Sequence, residues 1–169
     1  MTAGDRAAVH ARPPIWLSIL RLFRIGTWFS PAADVLASTA IAGLPWSPEV
    51  VRAMLASVLL YGAGMVFNDV ADRRLDATQR PERPLPQGDV SVATAAGLGA
   101  LLLVGGLVLS PCRGWHGTIA ALVLGYDFGG KLIPWLGAVV MGALRGLNLG
   151  VAFAMVPAPL PPGTQQALL

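Results

Sequence analysis

The stretch from Val90 to Cys112, VSVATAAGLGALLLVGGLVLSPC, contains no charged residue. As a helix rising about 1.5 Å per residue, its apolar part at 92–110 matches the ~30 Å hydrocarbon thickness of a bilayer. Such a run needs either protein on every side or lipid. Composition decides between them. Only 12% of the 169 residues are charged and 54% are hydrophobic, with a mean hydropathy of +0.62. Soluble domains average roughly 25% charged residues. A water-soluble domain cannot cover its surface with so few charges, so the chain reads as an integral membrane protein.

Four further apolar segments come near spanning length, at 25–44, 50–67, 115–133 and 135–156. The predicted fold is all-α: a membrane-embedded helical bundle of about five transmembrane helices. Residues 1–24 form a cytoplasmic N-terminal segment, 25–156 the bundle, and the Pro-rich 157–169 a tail outside it. LPWSP at 44–48 and SPCRGW at 110–115 break neighbouring helices with prolines and interfacial Trp. The five tryptophans read mostly as interface anchors, and His10 and His116 as surface or interface residues. Ala138, Gly142, Gly146 and Gly150 recur every four residues, a pattern that lets helices approach closely in lipid.

Eleven of the twelve basic residues are Arg, and they sit in short segments between apolar runs. That is a topology signal rather than a nucleic-acid footprint, so no nucleic-acid partner is expected. Arg6, Arg12, Arg21 and Arg24 precede the first span, and Arg73, Arg74, Arg80 and Arg83 follow the second. Both clusters are therefore expected in the cytoplasm of a bacterial cell, with the spans in its inner membrane. The N-terminus shows no cleavable signal, and the single Cys112 excludes an intramolecular disulfide.

One segment departs from this oily background. FNDVADRRLDATQRPERPLPQGD, residues 67–89, holds nine of the chain's 21 charged side chains. If the second helix runs past the membrane surface, Asn68, Asp72 and Asp76 share one face and Asp69 lies beside it. Clustered carboxylates repel one another unless a cation sits among them. Oxygen-only donors suit Mg²⁺, which commonly bridges one or two carboxylates to phosphate. Arg73, Arg74, Arg80 and Arg83 supply donors for phosphate. Three prolines stiffen the loop, and Asp89 or Ser91 caps the next helix. The arrangement suits a lipid diphosphate whose tail runs into the bundle.

NDVADRRLDATQRPERPLPQG resembles the first aspartate-rich motif and following loop of the UbiA-type intramembrane prenyltransferases, N-D-x-x-D-x-x-x-D followed by R-P-(I/L)-P-x-G. RLFRIGTWFSPAADVLAST resembles the family's first helix, and GYDFGGKLIPWLGAVVMGALRGLNLGVAF its fourth and fifth. MGALRGLN is similar to a UbiA-like branch from bacterial secondary-metabolite clusters. The resemblance spans nearly all of 20–156. It implies Mg²⁺-dependent transfer of a prenyl group from an isoprenyl diphosphate to an acceptor, taken as aromatic. By position it implies Asn68, Asp69, Asp72 and Asp76 as metal ligands, Asp69 and Asp72 also as catalytic, and Arg80 or Arg83 as the diphosphate contact. Tyr126 and Lys131 match catalytic polar residues of the cavity.

Family members are longer and carry a second aspartate motif, whereas the only acidic residue here after Asp89 is Asp127. The resemblance therefore covers an N-terminal half, with the remainder expected in cis or as another subunit. The alternative is a non-catalytic membrane subunit that binds or moves an isoprenoid-type lipid. A CDP-alcohol transferase is disfavoured, because Asp72 is followed by Arg73 where that motif has Gly.

Five polar residues within the apolar segments complete the candidate set. Asp34 lies inside the first span, and a carboxylate there needs a cavity or a partner. Arg145 and Asn148, one turn apart, either reach the diphosphate or acceptor, or Arg145 pairs with Asp127 or Asp34 to join helices. Tyr126 and Asp127 either assist proton handling or form an interfacial pair.

Overall fold

Proline, serine and glycine set the helix ends. The computed structural model describes residues 13–156, without the side chains of Leu132 and Pro134, and every regular element among them is helical. The order is α1 (Ile15–Phe23), α2 (Phe29–Ile41), α3 (Pro48–Gln79), α4 (Val92–Leu109), α5 (Arg113–Phe128) and α6 (Pro134–Leu149), with 3-10 turns at Ile25–Thr27, Gly130–Leu132 and Phe153–Met155. The expected tail at 157–169 lies outside the described residues, as do Arg6, His10 and Arg12.

Ser47 caps α3, its hydroxyl accepting from Val50 N at 3.4 Å, and Pro48 occupies the first helical position, where no backbone donor is needed. From there α3 runs for 32 residues without interruption, about 48 Å at 1.5 Å per residue. It therefore outruns the bilayer core and carries Asn68 to Gln79 beyond the apolar segment on regular helix. Of the two possible caps for α4, Ser91 serves: its hydroxyl accepts from Thr94 N at 3.0 Å. Asp89 instead accepts from the Ser18 hydroxyl at 3.1 Å, tying the loop to α1.

Among the described residues, only α3 and α4 are both long and apolar enough to cross a bilayer on their own. α2, α5 and α6 have 13, 16 and 16 residues. Two expected boundaries move. The chain from 25 to 44 is not one helix: Arg24 adopts the left-handed conformation (φ 49°) and a 3-10 turn precedes α2. The segment at 135–156 is helical only to Leu149 and finishes in a second short turn.

α3 is the central element, packed against α1, α2, α4 and α5. One core joins Val35, Ala53, Leu60, Ile119, Val123 and Val151, and a second joins Leu22, Val66, Val70, Val90 and Ala95. α4 meets α3 through Gly99 and Gly106, and a Cβ at Gly106 would lie 3.0 Å from Leu60 Cγ and 3.1 Å from the Ala56 carbonyl. Small residues thus bring these two helices together. The opposite side of α4 presents Leu101, Val104 and Val108 outward. The stripe on α6 behaves differently. Ala138, Gly142 and Gly146 are exposed, and nothing among the described residues approaches the last two. Only Gly150 makes a close contact, with Trp115.

The tryptophans divide as well. Trp16, Trp46 and Trp135 are exposed, whereas Trp28 stacks on Phe23 and donates to its carbonyl, and Trp115 donates to the Leu147 carbonyl at 2.8 Å. His116 is not a surface residue. It is fully buried, with Nε2 3.0 Å from Ser57 Oγ and Nδ1 2.7 Å from Ser110 Oγ, because a ring between two hydroxyls has both nitrogens satisfied without water.

Candidate functional site

The charged end of α3 resolves into two faces. A helix turns about 100° per residue, so seven residues bring a side chain back to within about 20° of its start, whereas eight leave it about 80° away. Asp76 accordingly shares a face with Asp69, not with Asn68 as the i, i+4, i+8 spacing had suggested. Asp69 and Asp76 are buried and both are held by Arg83, at 3.0 Å and 2.5 Å. Asp69 also takes a hydrogen bond from Arg24 at 2.7 Å.

The second face looks toward α5 and the turn after it. Asn68 donates to Asp127 Oδ1 at 3.2 Å, and Lys131 Nζ lies 2.7 Å from Asp72 Oδ1. Asp127 Oδ2 is buried and has no hydrogen-bond partner among the described residues. The four motif residues expected to gather around one metal are therefore divided. No group of three or more Asp, Glu, His or Cys side chains is placed to hold an ion by itself among the described residues.

The two arginines expected to meet a diphosphate have other positions. Arg80 is exposed at the end of α3, where its backbone N–H bonds the Asp76 carbonyl at 2.8 Å. Arg83 is largely buried and committed to its two carboxylates, so it fixes the loop against the helix. Neither lines the main cavity, a space of about 470 Å³ among α2, α3, α5 and α6. The arginines that do line it are Arg24 and Arg145.

Two groups of polar side chains line this cavity. One is formed by Arg24, Asn68, Tyr126 and Asp127. The other is built on Asp34, whose carboxylate pairs with Arg145 at 2.9 Å and accepts from Asn148 at 3.0 Å. Arg145 donates also to Ser30 at 2.7 Å, and Asn148 to the Pro31 carbonyl at 3.1 Å. Of the two partners foreseen for Arg145, the structure selects Asp34. The cluster joins α2 to α6 and also faces the cavity, so joining helices and lining the chamber are compatible roles. Ile119, Val123, Met141 and Leu144 supply apolar lining.

Sequence reading missed Arg24, Ser57 and Tyr61 as cavity residues. Part of the signal was present. Ser57, Tyr61, Gly64, Met65 and Asn68 all line the cavity from α3, at offsets of 4, 7, 8 and 11 from Ser57, the spacing of one helix face. Arg24 carried no comparable signal, because its partner Asp69 is 45 residues away.

The donors near Asn68 suit a hard divalent cation. They are all oxygen, Lys131 is paired with only one carboxylate oxygen of Asp72, and Asp127 Oδ2 has no hydrogen-bond partner among the described residues.

The profile of the UbiA prenyltransferase family matches residues 28–168. A 4-hydroxybenzoate octaprenyltransferase of Paracidovorax citrulli is 30% identical over 169 residues, covering 95% of this chain and 57% of the relative. A digeranylgeranylglyceryl phosphate synthase of Methanoculleus marisnigri is 33% identical, covering 63% of this chain and 40% of that protein. The bacteriochlorophyll synthase 34 kDa chain of Chloroflexus aurantiacus is 33% identical, over 69% and 37% respectively. Among solved structures, one concerned with digeranylgeranylglyceryl phosphate synthase in membranes superposes with a TM-score of 0.78. It is 22% identical and covers 83% of this chain and 53% of its own, a likeness of fold. The chain spans about half the length of the curated relatives it matches.

Proposed function

This chain belongs to the UbiA prenyltransferase family, and on that premise we propose that it binds an isoprenyl diphosphate in the cavity and contributes to transferring the prenyl group to an electron-rich acceptor within the membrane. The observation that carries this reading is the cavity itself. The Arg24 guanidinium and the Asn68 amide line it together with apolar side chains of α5 and α6, and Asn68 joins it to the Asn-Asp-rich end of α3.

In this reading Arg24 contacts the diphosphate. Asp69 orients the guanidinium from behind, and Arg83 in turn holds Asp69 in place. Asn68 and Asp72 would hold Mg²⁺, which when bound neutralises charge on the diphosphate. Asp76 serves with Arg83 as a structural clamp. Lys131 fixes Asp72, and Tyr126 lies on the same wall as Asp127. Ile119, Val123 and Leu144 line the path of the prenyl tail and keep water from it. The allylic C–O bond breaks with its electron pair leaving on the diphosphate, the acceptor's electrons form the new bond to the allylic carbon, and the acceptor then loses a proton. The Asp34–Arg145–Asn148 cluster faces the acceptor, and Arg80, being exposed, assists only entry of the diphosphate. The charged end of α3 lies in the cytoplasm and the spans lie in the inner membrane, with Arg placement as the support.

The test is binding of geranylgeranyl diphosphate to the purified chain in detergent, with and without Mg²⁺. Mg²⁺ should strengthen binding, and Asp72→Ala should remove that gain. Equal binding under both conditions overturns the cation-assisted reading.

A further inference from the structure

We propose that Asp127, which lies outside the aspartate-rich motif, is a ligand of the divalent cation and completes an oxygen donor set with Asn68 and Asp72. The proposal rests on the reading of a cation-assisted diphosphate site and adds to it a residue from a different helix.

Three observations converge on Asp127. It is 4% exposed and lines the cavity, yet its Oδ2 has no hydrogen-bond partner among the described residues. A buried, unpartnered carboxylate oxygen is costly unless something charged or hydrogen-bonding meets it there. Its position on the helix adds to that cost. Asp127 lies in the last turn of α5, where the backbone carbonyls leave partial negative charge, the disfavoured end for an anion.

The local charge count points the same way. Asp69, Asp72, Asp76 and Asp127 are answered by Arg24, Arg83 and Lys131. The two arginines are bonded to Asp69 and Asp76, and Lys131 is ion-paired with Asp72. Among the described residues Asp127 is left with a single hydrogen-bond donor, the neutral Asn68 amide at 3.2 Å, and it shares the charge of Lys131 with Asp72. That hydrogen bond has a further effect. By drawing the Asn68 nitrogen onto Asp127, it leaves the Asn68 carbonyl oxygen as a donor atom for a cation. An all-oxygen set with two carboxylates and room for phosphate oxygens is the kind Mg²⁺ takes. An acidic residue four positions before Lys131 thus gives α5 a part in the site that the motif on α3 does not supply alone.

The test uses Mn²⁺ as a spectroscopic probe on the purified 169-residue chain in detergent. Loss of the free-ion signal in electron paramagnetic resonance reports binding, and competition by Mg²⁺ reports the class of site. Asp127→Asn keeps an oxygen to accept from Asn68 but removes the charge. It should weaken Mn²⁺ binding at least tenfold, while Asp127→Glu retains binding within a few-fold. Without metal, Asp127→Asn should melt no lower than wild type, and added Mg²⁺ should raise the melting temperature of wild type but not of the variant. Unchanged Mn²⁺ affinity in Asp127→Asn, alongside its loss in Asp72→Asn, overturns the role of Asp127 and leaves the diphosphate reading standing. No Mn²⁺ binding by wild type overturns both. A metal-free melting temperature well below wild type for Asp127→Asn, with Mn²⁺ binding intact, makes the residue structural.

Discussion

Arg24 and Asp69, 45 residues apart, meet at 2.7 Å, the guanidinium on the cavity wall and the carboxylate behind it. Arg24 leaves α1 in the left-handed conformation, and this turn carries the chain from α1 toward α2. Replacing it with Ala removes a charged hydrogen bond to a buried acid. Asp69 keeps Arg83 and Arg24 is 35% exposed, so the expected cost is about 1–2 kcal/mol. Thermal unfolding in detergent measures that cost. Geranylgeranyl diphosphate binding should weaken by roughly tenfold, the equivalent of one lost charged contact of about 1.4 kcal/mol. Undiminished binding by Arg24→Ala would take Arg24 out of the site.

Asp34 and Arg145 should be energetically coupled. Removing either leaves the other without its charge partner, although Asp34 keeps Asn148 and Arg145 keeps Ser30, and the pair joins α2 to α6. A double-mutant cycle of Asp34→Asn and Arg145→Gln should give a coupling of about 1 kcal/mol, because contacting residues are non-additive. Unfolding in mixed micelles supplies the four midpoints. Strict additivity would mean that the pair contributes nothing to holding α6.

Two glycines should respond in opposite ways to the same substitution. Gly106→Leu forces a side chain against Leu60 and the Ala56 carbonyl, and overpacking of this kind costs about 1–3 kcal/mol. At Gly142 a Cβ meets nothing within 4 Å and the position is exposed on α6, so Gly142→Leu should stabilise by up to about 1 kcal/mol through relief of glycine's helix-interior penalty. Melting temperatures of the two variants make the comparison. A large loss at Gly142 would reveal a neighbour for the exposed stripe of α6.

The ends of α3 should label from opposite sides of the membrane. Glu49 and Gln79 are both exposed, at the two ends of a helix long enough to cross it. In a Cys112→Ser background, Gln79→Cys should react from the cytoplasm and Glu49→Cys from outside. The reverse pattern would invert the orientation read from the arginines.

The sequence determined the helical class of the fold and marked the segment on which the proposed site is centred. An uncharged 90–112 and a low overall charge demanded helices in lipid, because an unpaired backbone cannot sit in hydrocarbon. The Asn-Asp-rich motif could be read because its residues sit on one short piece of helix, where spacing alone brings side chains near one another. Even there the tertiary structure decided the partition. Asp76 turned to Asp69 and Arg83, while Asn68 and Asp72 turned to Asp127 and Lys131. Helix phase narrows the faces available, but which face meets which neighbour depends on how α5 and the 80–91 loop pack. Arg24 beside Asp69 and His116 between Ser57 and Ser110 lay beyond sequence reasoning for the same reason, and for Arg145 the sequence offered Asp127 and Asp34 without deciding between them. Each joins residues from separate helices or their connections, and a buried polar group takes whichever partner the packing of those segments brings within hydrogen-bond distance.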